Sequence, residues 1–239
     1  MEETKNNTVI ENDFFGSLTE ESLELAREKV APFLKLMSYY RCAMMEIETK
    51  IRVLNEEYSL EHDRNPISSI KARLKSPRSI KEKLERRGLP LTLESIEENL
   101  HDIAGVRVVC AFKTDAYTLA DALLKQDDVK LIAKKDYIKN PKPNGYRSLH
   151  MIVQIPIFLA HEKREMRVEI QIRTISMDSW ASLEHQIVYK KDIELTEDMV
   201  SELLECAGLS ASLDEKMDSL RKRIFEKSMI IPTDTGDKK

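Results

Sequence analysis

Met166-Arg-Val-Glu-Ile-Gln-Ile-Arg173 alternates apolar and polar side chains without a break. A period of two is strand geometry, so Val168, Ile170 and Ile172 share one face while Arg167, Glu169, Gln171 and Arg173 share the other. The apolar face needs helices to cover it. The polar face sets cations, a carboxylate and an amide in a row. That row suits a plain exposed antiparallel strand as well as a ligand surface, and both readings stand at this point.

Working outward, Val106–Phe112 (VRVVCAF) reads as a buried strand, and further strands are expected at Ile67–Leu74, Val129–Tyr137 and Tyr146–Ile155. Ser76-Pro77 is a favourable N-cap and first-turn pair for a helix to Arg87, closed by Gly88. Helices are also expected over Glu94–Asn99, Asp115–Lys125, Ser176–Lys190 and Thr196–Lys227. Upstream, Ser17-Leu-Thr-Glu20 has the form of a capping box, and Pro32 either interrupts that helix or starts the next. From Phe33 to Tyr58, Leu36, Met37, Tyr40, Met44, Ile47, Ile51 and Leu54 recur at helical spacing, the mark of a long amphipathic helix with its stripe in the core. The order of elements predicts an α+β fold, a mixed β-sheet flanked by helices, with long N- and C-terminal helices. The expected division is a frayed tail over 1–16, a helical segment over 17–62, an α/β core over 63–192, a second helical segment over 193–229 and a flexible tail over 230–239.

Hydrophobic residues form 41% of the 239, enough for a true core, and the 33% charged residues suit solvated helices. With 6 glycines, a phosphate site must rely on Lys and Arg side chains rather than a glycine-rich loop. Cys42, Cys110 and Cys206 have no CxxC or Cys/His spacing, so free, mostly buried thiols are expected, with neither disulfide framework nor zinc site. Neither a membrane-length apolar run nor a signal peptide is present, and a cytoplasmic protein is expected. The net charge of −4 hides a segregation: Met1–Glu28 holds eight acidic and two basic residues, Arg64–Arg87 nine basic and two acidic, and Lys134–Arg147 five basic against Asp136. Positive charge gathered into two blocks of an acidic chain favours local capture of polyanions over broad coating of nucleic acid.

Within these blocks, Arg73 and Lys75 alternate out of one strand, while Ser79 and Lys83 lie four apart on the next helix, a junction able to grip a polyphosphate from both sides. The loop from Lys135 to Tyr146 is stiffened by Pro141 and Pro143 and ends in an aromatic suited to stacking on a base, with Lys135 and Lys142 available to phosphates. Asp102, just ahead of a buried strand, is either a turn residue or a ligand for a hard cation. Simple alternation puts Asp102 and Arg107 on opposite faces, so a shared site requires a break in the pleat at Ala104-Gly105.

Taken together, Arg73-Leu-Lys75, His101-Asp-Ile-Ala-Gly-Val-Arg107, Lys142-Pro-Asn-Gly-Tyr-Arg-Ser-Leu-His150, Val168-Glu-Ile-Gln-Ile-Arg-Thr174 and Trp180-Ala-Ser-Leu-Glu-His185 resemble the synthetase domain of the RelA/SpoT family, in particular its stand-alone small alarmone synthetases of the RelP type. The resemblance covers roughly residues 40 to 220. It implies a nucleotidyltransferase-like fold and Mg²⁺-dependent synthesis of (p)ppGpp, by transfer of pyrophosphate from ATP to the 3′ hydroxyl of GTP or GDP. It assigns Asp102 to Mg²⁺ and makes Glu169 the base that activates the hydroxyl, close to the metal. Arg73 and Arg107 sandwich the adenine, and Lys75, Ser79 and Lys83 hold the ATP phosphates. Tyr146 stacks on guanine, Lys135, Lys142 and His150 attend the GTP phosphates, and Gln171 and Asp178 lie on the guanine side. It also implies a homotetramer.

The isolated His62-Asp63 pair reads as a helix end, so synthesis without hydrolysis is expected. The alternatives are a pyrophosphokinase acting on the 3′ end of tRNA and an inactive nucleotide- or RNA-binding module. Neither DNA nor membrane partners are expected, and RNA binding is not indicated.

Overall fold

A computed structural model of the chain describes residues 20–62, 64–188 and 195–230. Helix α1 (Glu20–His62) is followed by β1 (Ile67–Leu74), α2 (Pro77–Arg86), α3 (Leu93–Asn99), β2 (Ala104–Cys110) and α4 (Lys113–Leu124). Then come β3 (Lys130–Asp136), β4 (Leu149–Phe158), β5 (Lys163–Thr174), α5 (Ile175–Val188) and α6 (Glu197–Ile230). The five strands form one mixed sheet in the order β1-β2-β5-β4-β3, with β2 and β5 parallel and every other pair antiparallel.

The apolar face follows from strand parity. Val106, Val108, Met151, Val153, Val168, Ile170 and Ile172 are all buried. Helix α1 lies across them and adds Leu36, Tyr40, Ala43, Ile47, Ile51 and Leu54 to the same core, with Met37 and Met44 at its margin. Leu119 and Leu123 of α4 complete it. The opposite, polar face of the sheet is thereby left open as a working surface.

Pro32 neither interrupts α1 nor begins a helix: α1 runs through it. The ring removes one backbone hydrogen bond and strains its turn, yet Ala31 and Pro32 are exposed and Leu36 is the first buried residue among those described, so water can serve the freed carbonyl. Ser17 to Thr19 of the capping box, the His62 side chain and Asp63 lie outside the described residues. At α2 the Ser76 hydroxyl accepts from Ser79 N at 3.2 Å, Pro77 takes the first turn, and Gly88 adopts φ 65° past the end. The strand expected from Tyr146 begins at Leu149 instead, leaving Tyr146, Arg147 and Ser148 in the preceding loop. Of the thiols, Cys110 is buried, and desolvation pushes it up to about 12. Cys42 is half-buried, and Cys206 is exposed because it falls on the outer side of α6.

Candidate active site

Strand register assembles the polar face into two rows. Lys71, Arg107, Gln171, His150 and Lys135 stand side by side across all five strands. Two residues along, Arg73, Gly105 and Glu169 form the neighbouring row on β1, β2 and β5. Gly105 has no side chain to stand between the guanidinium and the carboxylate, so the second row has a gap at its middle. A cleft of about 410 Å³ opens there.

Seven of the residues singled out from sequence line this cleft: Arg73, Lys75, Ser79, Asp102, Arg107, Glu169 and Gln171. Asp102 reaches it by a different route from the expected one. Pairing of β1 with β2 is regular through Ala104 and Gly105, and its irregularity lies between Ile67 and Ser69. Asp102 precedes the strand, in a turn that the hydrogen bond from Lys75 N to Ile103 O (2.8 Å) ties to β1. Strand alternation therefore does not govern it.

The Lys75 and Lys83 ammonium groups both donate to Asp102 Oδ2 at 2.6 Å. Burial opposes ionisation of this carboxyl more than any other single influence, but the two lysines together outweigh it and hold the group below the usual carboxylate range. The other oxygen, Oδ1, is buried and without a protein partner. A buried carboxylate oxygen in that condition fits a hard cation. Among the described residues no cluster of three or more His, Cys, Asp or Glu is placed to hold a metal. A Mg²⁺ ion here would draw on Asp102 and Glu169 alone, leaving its remaining positions to water and phosphate, the usual preference of that ion.

Glu169 is set by its neighbours. Gln171 Nε2 donates to its Oε2 at 3.0 Å, and His150 Nδ1 lies 3.6 Å from its Oε1. The latter distance is an electrostatic contact rather than a hydrogen bond. Burial again raises this carboxyl most, yet His150 and Gln171 overcome it, and the net displacement is downward.

The other end of the site is built on residues 137–148. Asp136 Oδ1 accepts from Ile138 N and Lys139 N, Arg147 reaches across to Ile138 O at 2.7 Å, and Gly145 turns the chain with φ 84°. The Tyr146 hydroxyl meets His150 Nε2 at 3.0 Å and accepts from Arg173 at 2.8 Å. Lys142 Nζ stands 4.9 Å from the Tyr146 ring centre and 5.0 Å from that of Tyr137. Asp178, in the first turn of α5, accepts from Arg173 at 2.9 Å and lies 3.6 Å from Arg107.

Lys142, Tyr146, His150 and Asp178 thus lie beyond the cleft lining but are linked to it through Arg107, Glu169 and Arg173. Lys135 is joined to the group by register alone, as an exposed residue opposite His150. Sequence reasoning gives Lys71 and Arg173 no role, and gives Gly105 that of a break in the pleat. Lys71 lines the cleft two positions before Arg73, and parity alone signals it. Gly105 provides the gap. Arg173, 5% exposed, holds Gln171, Tyr146 and Asp178 at once.

Comparison with known proteins agrees with this architecture. The family model described as "Region found in RelA / SpoT proteins" matches residues 72–194. GTP pyrophosphokinase YwaC of Bacillus subtilis is 44% identical over 185 residues, covering 77% of this chain and 88% of the relative. GTP pyrophosphokinase YjbM of the same organism is 34% identical over 187 residues, covering 78% and 87%. Among solved structures, small alarmone synthetase 2 from B. subtilis superposes with a TM-score of 0.72 at 41% identity, covering 80% of this chain and 98% of that one. Small alarmone synthetase 1 from B. subtilis, bound to its product pppGpp, gives a TM-score of 0.73 at 33% identity, covering 81% and 98%.

Proposed function

Because the chain belongs to the RelA/SpoT family, we propose that its cleft synthesises (p)ppGpp, moving the β,γ-pyrophosphate of ATP onto the 3′ hydroxyl of GTP or GDP. The observation that carries this reading is the shared cleft: Asp102 and Glu169 face one cavity, with Arg73, Lys75 and Ser79 at one end and the Tyr146 loop adjoining the other. Donor and acceptor then have separate cationic cradles, and the two carboxylates stand where they meet.

In this reading Arg73 and Arg107 hold the adenine between them, while Lys75, Ser79 and Lys83 bind the donor phosphates at the start of α2. Tyr146 stacks on the guanine, Gln171 and Asp178 approach its edge, and Lys135, Lys142 and His150 face the acceptor phosphates. Glu169, ionised at neutral pH, accepts the proton of the 3′ hydroxyl as that oxygen attacks the β-phosphorus. The departing group is AMP, and the lysines that now neutralise Asp102 are free to turn to the polyphosphate. Mg²⁺ held by Asp102 and Glu169 would supply charge neutralisation at the transferred phosphates. Fixing both substrates in line is itself worth several orders of magnitude in rate.

We also propose synthesis without hydrolysis, and assembly as a homotetramer in the cytoplasm. The assembly reading is supported by the exposed stripe Leu209, Leu213, Met217, Leu220 and Ile224 along α6, which asks for a cover. Light scattering at micromolar concentration tests it, a monomer contradicting it. Among the described residues no helix is long and apolar enough to cross a membrane.

The deciding experiment incubates the protein with γ-labelled ATP and separately with GTP, GDP, uncharged tRNA and pre-formed pppGpp. Label entering GTP or GDP, with pppGpp left intact, is the expected result. Label entering tRNA alone would establish the tRNA pyrophosphokinase instead, label in no acceptor would favour an inactive binding module, and loss of pyrophosphate from pppGpp would refute synthesis without hydrolysis.

A further inference from the structure

Helix α6 lies tightly against the acceptor loop at Gly145. A Cβ placed on Gly145 would stand 2.5 Å from the Ala207 Cβ, 3.5 Å from Leu204 Cδ2 and 3.9 Å from Trp180 Cζ2. The loop backbone is therefore seated directly on the Ala207 methyl group. Ala207 is 5% exposed, and the next residue of the loop, Tyr146, packs on the cluster formed by Trp180, Ala181 and Ala207. We propose that Ala207 is a positioning residue for the acceptor nucleotide: its methyl group sets where Gly145, and with it the Tyr146 ring, stands. This rests on the reading of Tyr146 as the residue that stacks on guanine.

The surroundings make the contact stiff. Trp180 Nε1 donates to Leu203 O at 3.3 Å, pinning α5 to α6 one turn before Ala207. Two turns later, Asp214 accepts from Thr174 Oγ1 at 2.6 Å, and the same hydroxyl oxygen accepts from Met177 N at the start of α5. Thr174 adjoins Arg173, which donates to the Tyr146 hydroxyl. The ring is thus held at its hydroxyl by β5 and at its backbone by α6. What meets Ala207 is main chain, which unlike a side-chain tip has no alternative rotamer into which to retreat. A larger residue at 207 displaces the loop, and displacement of a binding group by about 1 Å is costly in a site that depends on alignment.

The test is steady-state kinetics on the full-length protein with Ala207→Val, and with Ala207→Gly as a second variant that withdraws the support instead of overfilling it. The chain has one tryptophan, Trp180, beneath the loop, so its fluorescence reports acceptor binding directly. The expected result is a rise of roughly tenfold in the KM for GTP, matched by a weaker GDP titration of Trp180 emission, with the KM for ATP and the circular dichroism unchanged. Ala207→Gly is expected to give a smaller rise of the same kind. An unchanged acceptor KM in both variants, or equal rises for both substrates, overturns the proposal. A rise confined to ATP would sink the acceptor assignment of Tyr146 itself, and the positioning role with it. Should Ala207→Val fail to fold, Ala207→Gly decides alone, and a normal acceptor KM there refutes it.

Discussion

The Tyr146 hydroxyl lies 3.0 Å from His150 Nε2 and accepts from Arg173 at 2.8 Å, so one phenol bridges the histidine and the arginine. An arginine only donates, so the tyrosine oxygen accepts from it and keeps its own proton available to Nε2. The other ring nitrogen, Nδ1, faces Glu169 Oε1 at 3.6 Å. The loop that carries the acceptor's aromatic residue is therefore coupled to the base. Since Glu169 is held below its ordinary range, it is ionised throughout the neutral range and loses its proton-accepting form only as pH falls through that lowered value. The acid limb of kcat/KM should lie below 4.5, the ordinary glutamate value from which Glu169 is lowered. Replacing His150 with Leu removes a lowering influence and leaves burial, the largest raising one, less opposed, so the limb should move toward neutrality. A pH profile of each protein checks this; a limb that stays put or moves down would contradict the assigned coupling.

Gly105 stands between Arg73 and Glu169, where a Cβ would meet just the Arg73 carbonyl oxygen at 3.7 Å, an ordinary contact. A β-branched residue suits a strand, so Gly105→Val should fold with stability changed by less than about 1 kcal/mol. Its side chain would nonetheless stand in the cleft and take the space of the donor nucleotide. Turnover should fall by about 100-fold or more, since the reacting groups no longer align. Binding of a non-hydrolysable ATP analogue by calorimetry, beside a thermal melt, distinguishes a blocked site from a lost fold. Normal ATP affinity in a folded variant would show that the donor lies elsewhere.

How far all this was legible in the sequence depends on the kind of information required. Parity within a strand is local, so the polar face bearing Glu169 and Gln171 and the apolar face of Ile170 and Ile172 could be read directly. The junction of Ser76 and Pro77 with α2 is equally local. Register between strands is not: nothing in the chain announces that Lys71, Arg107, Gln171, His150 and Lys135 form one row. The position of Asp102 is equally non-local, since pairing with β1 sets where β2 begins. Alternation calls for a break at Ala104-Gly105, yet β2 begins at Ala104 and Asp102 lies before it, beyond the reach of strand parity. Arg173 shows a third case, where alternation placed the side chain correctly but its burial depends on Asp178 and Tyr146 arriving from other elements.

Lys71 extends the line of cations Arg73 and Lys75 outward along β1 and opens into the same cleft. A partly exposed charge meeting a nucleotide contributes about 1 kcal/mol, or roughly fivefold in affinity. Lys71→Ala should raise the KM for ATP by about that factor, leave the KM for GTP unchanged, and lessen the dependence of ATP binding on salt. Kinetics at two ionic strengths test the point. A change in the GTP constant instead would place this end of the cleft on the acceptor side.

Asp115, 5% exposed at the start of α4, joins three parts of the molecule far from the chemistry. Arg64, ahead of β1, donates to both its oxygens at 2.8 and 2.6 Å, and Arg221 of α6 approaches at 3.3 Å. Both guanidinium groups lie over the Phe112 ring, at 5.8 and 4.6 Å from its centre. Asp115→Asn keeps the shape but leaves two partly buried cations facing a neutral amide. Removing one partner of a buried charge cluster costs about 3 kcal/mol, which urea unfolding should register as a lower midpoint with little change in slope. A midpoint shift worth less than about 0.5 kcal/mol, the range of an ordinary surface substitution, would mean the cluster does not anchor α6. If it does, loosening α6 also loosens the seat of Gly145 on Ala207, and the acceptor KM should rise in this variant while the ATP constant holds, although Asp115 lines no part of the cleft.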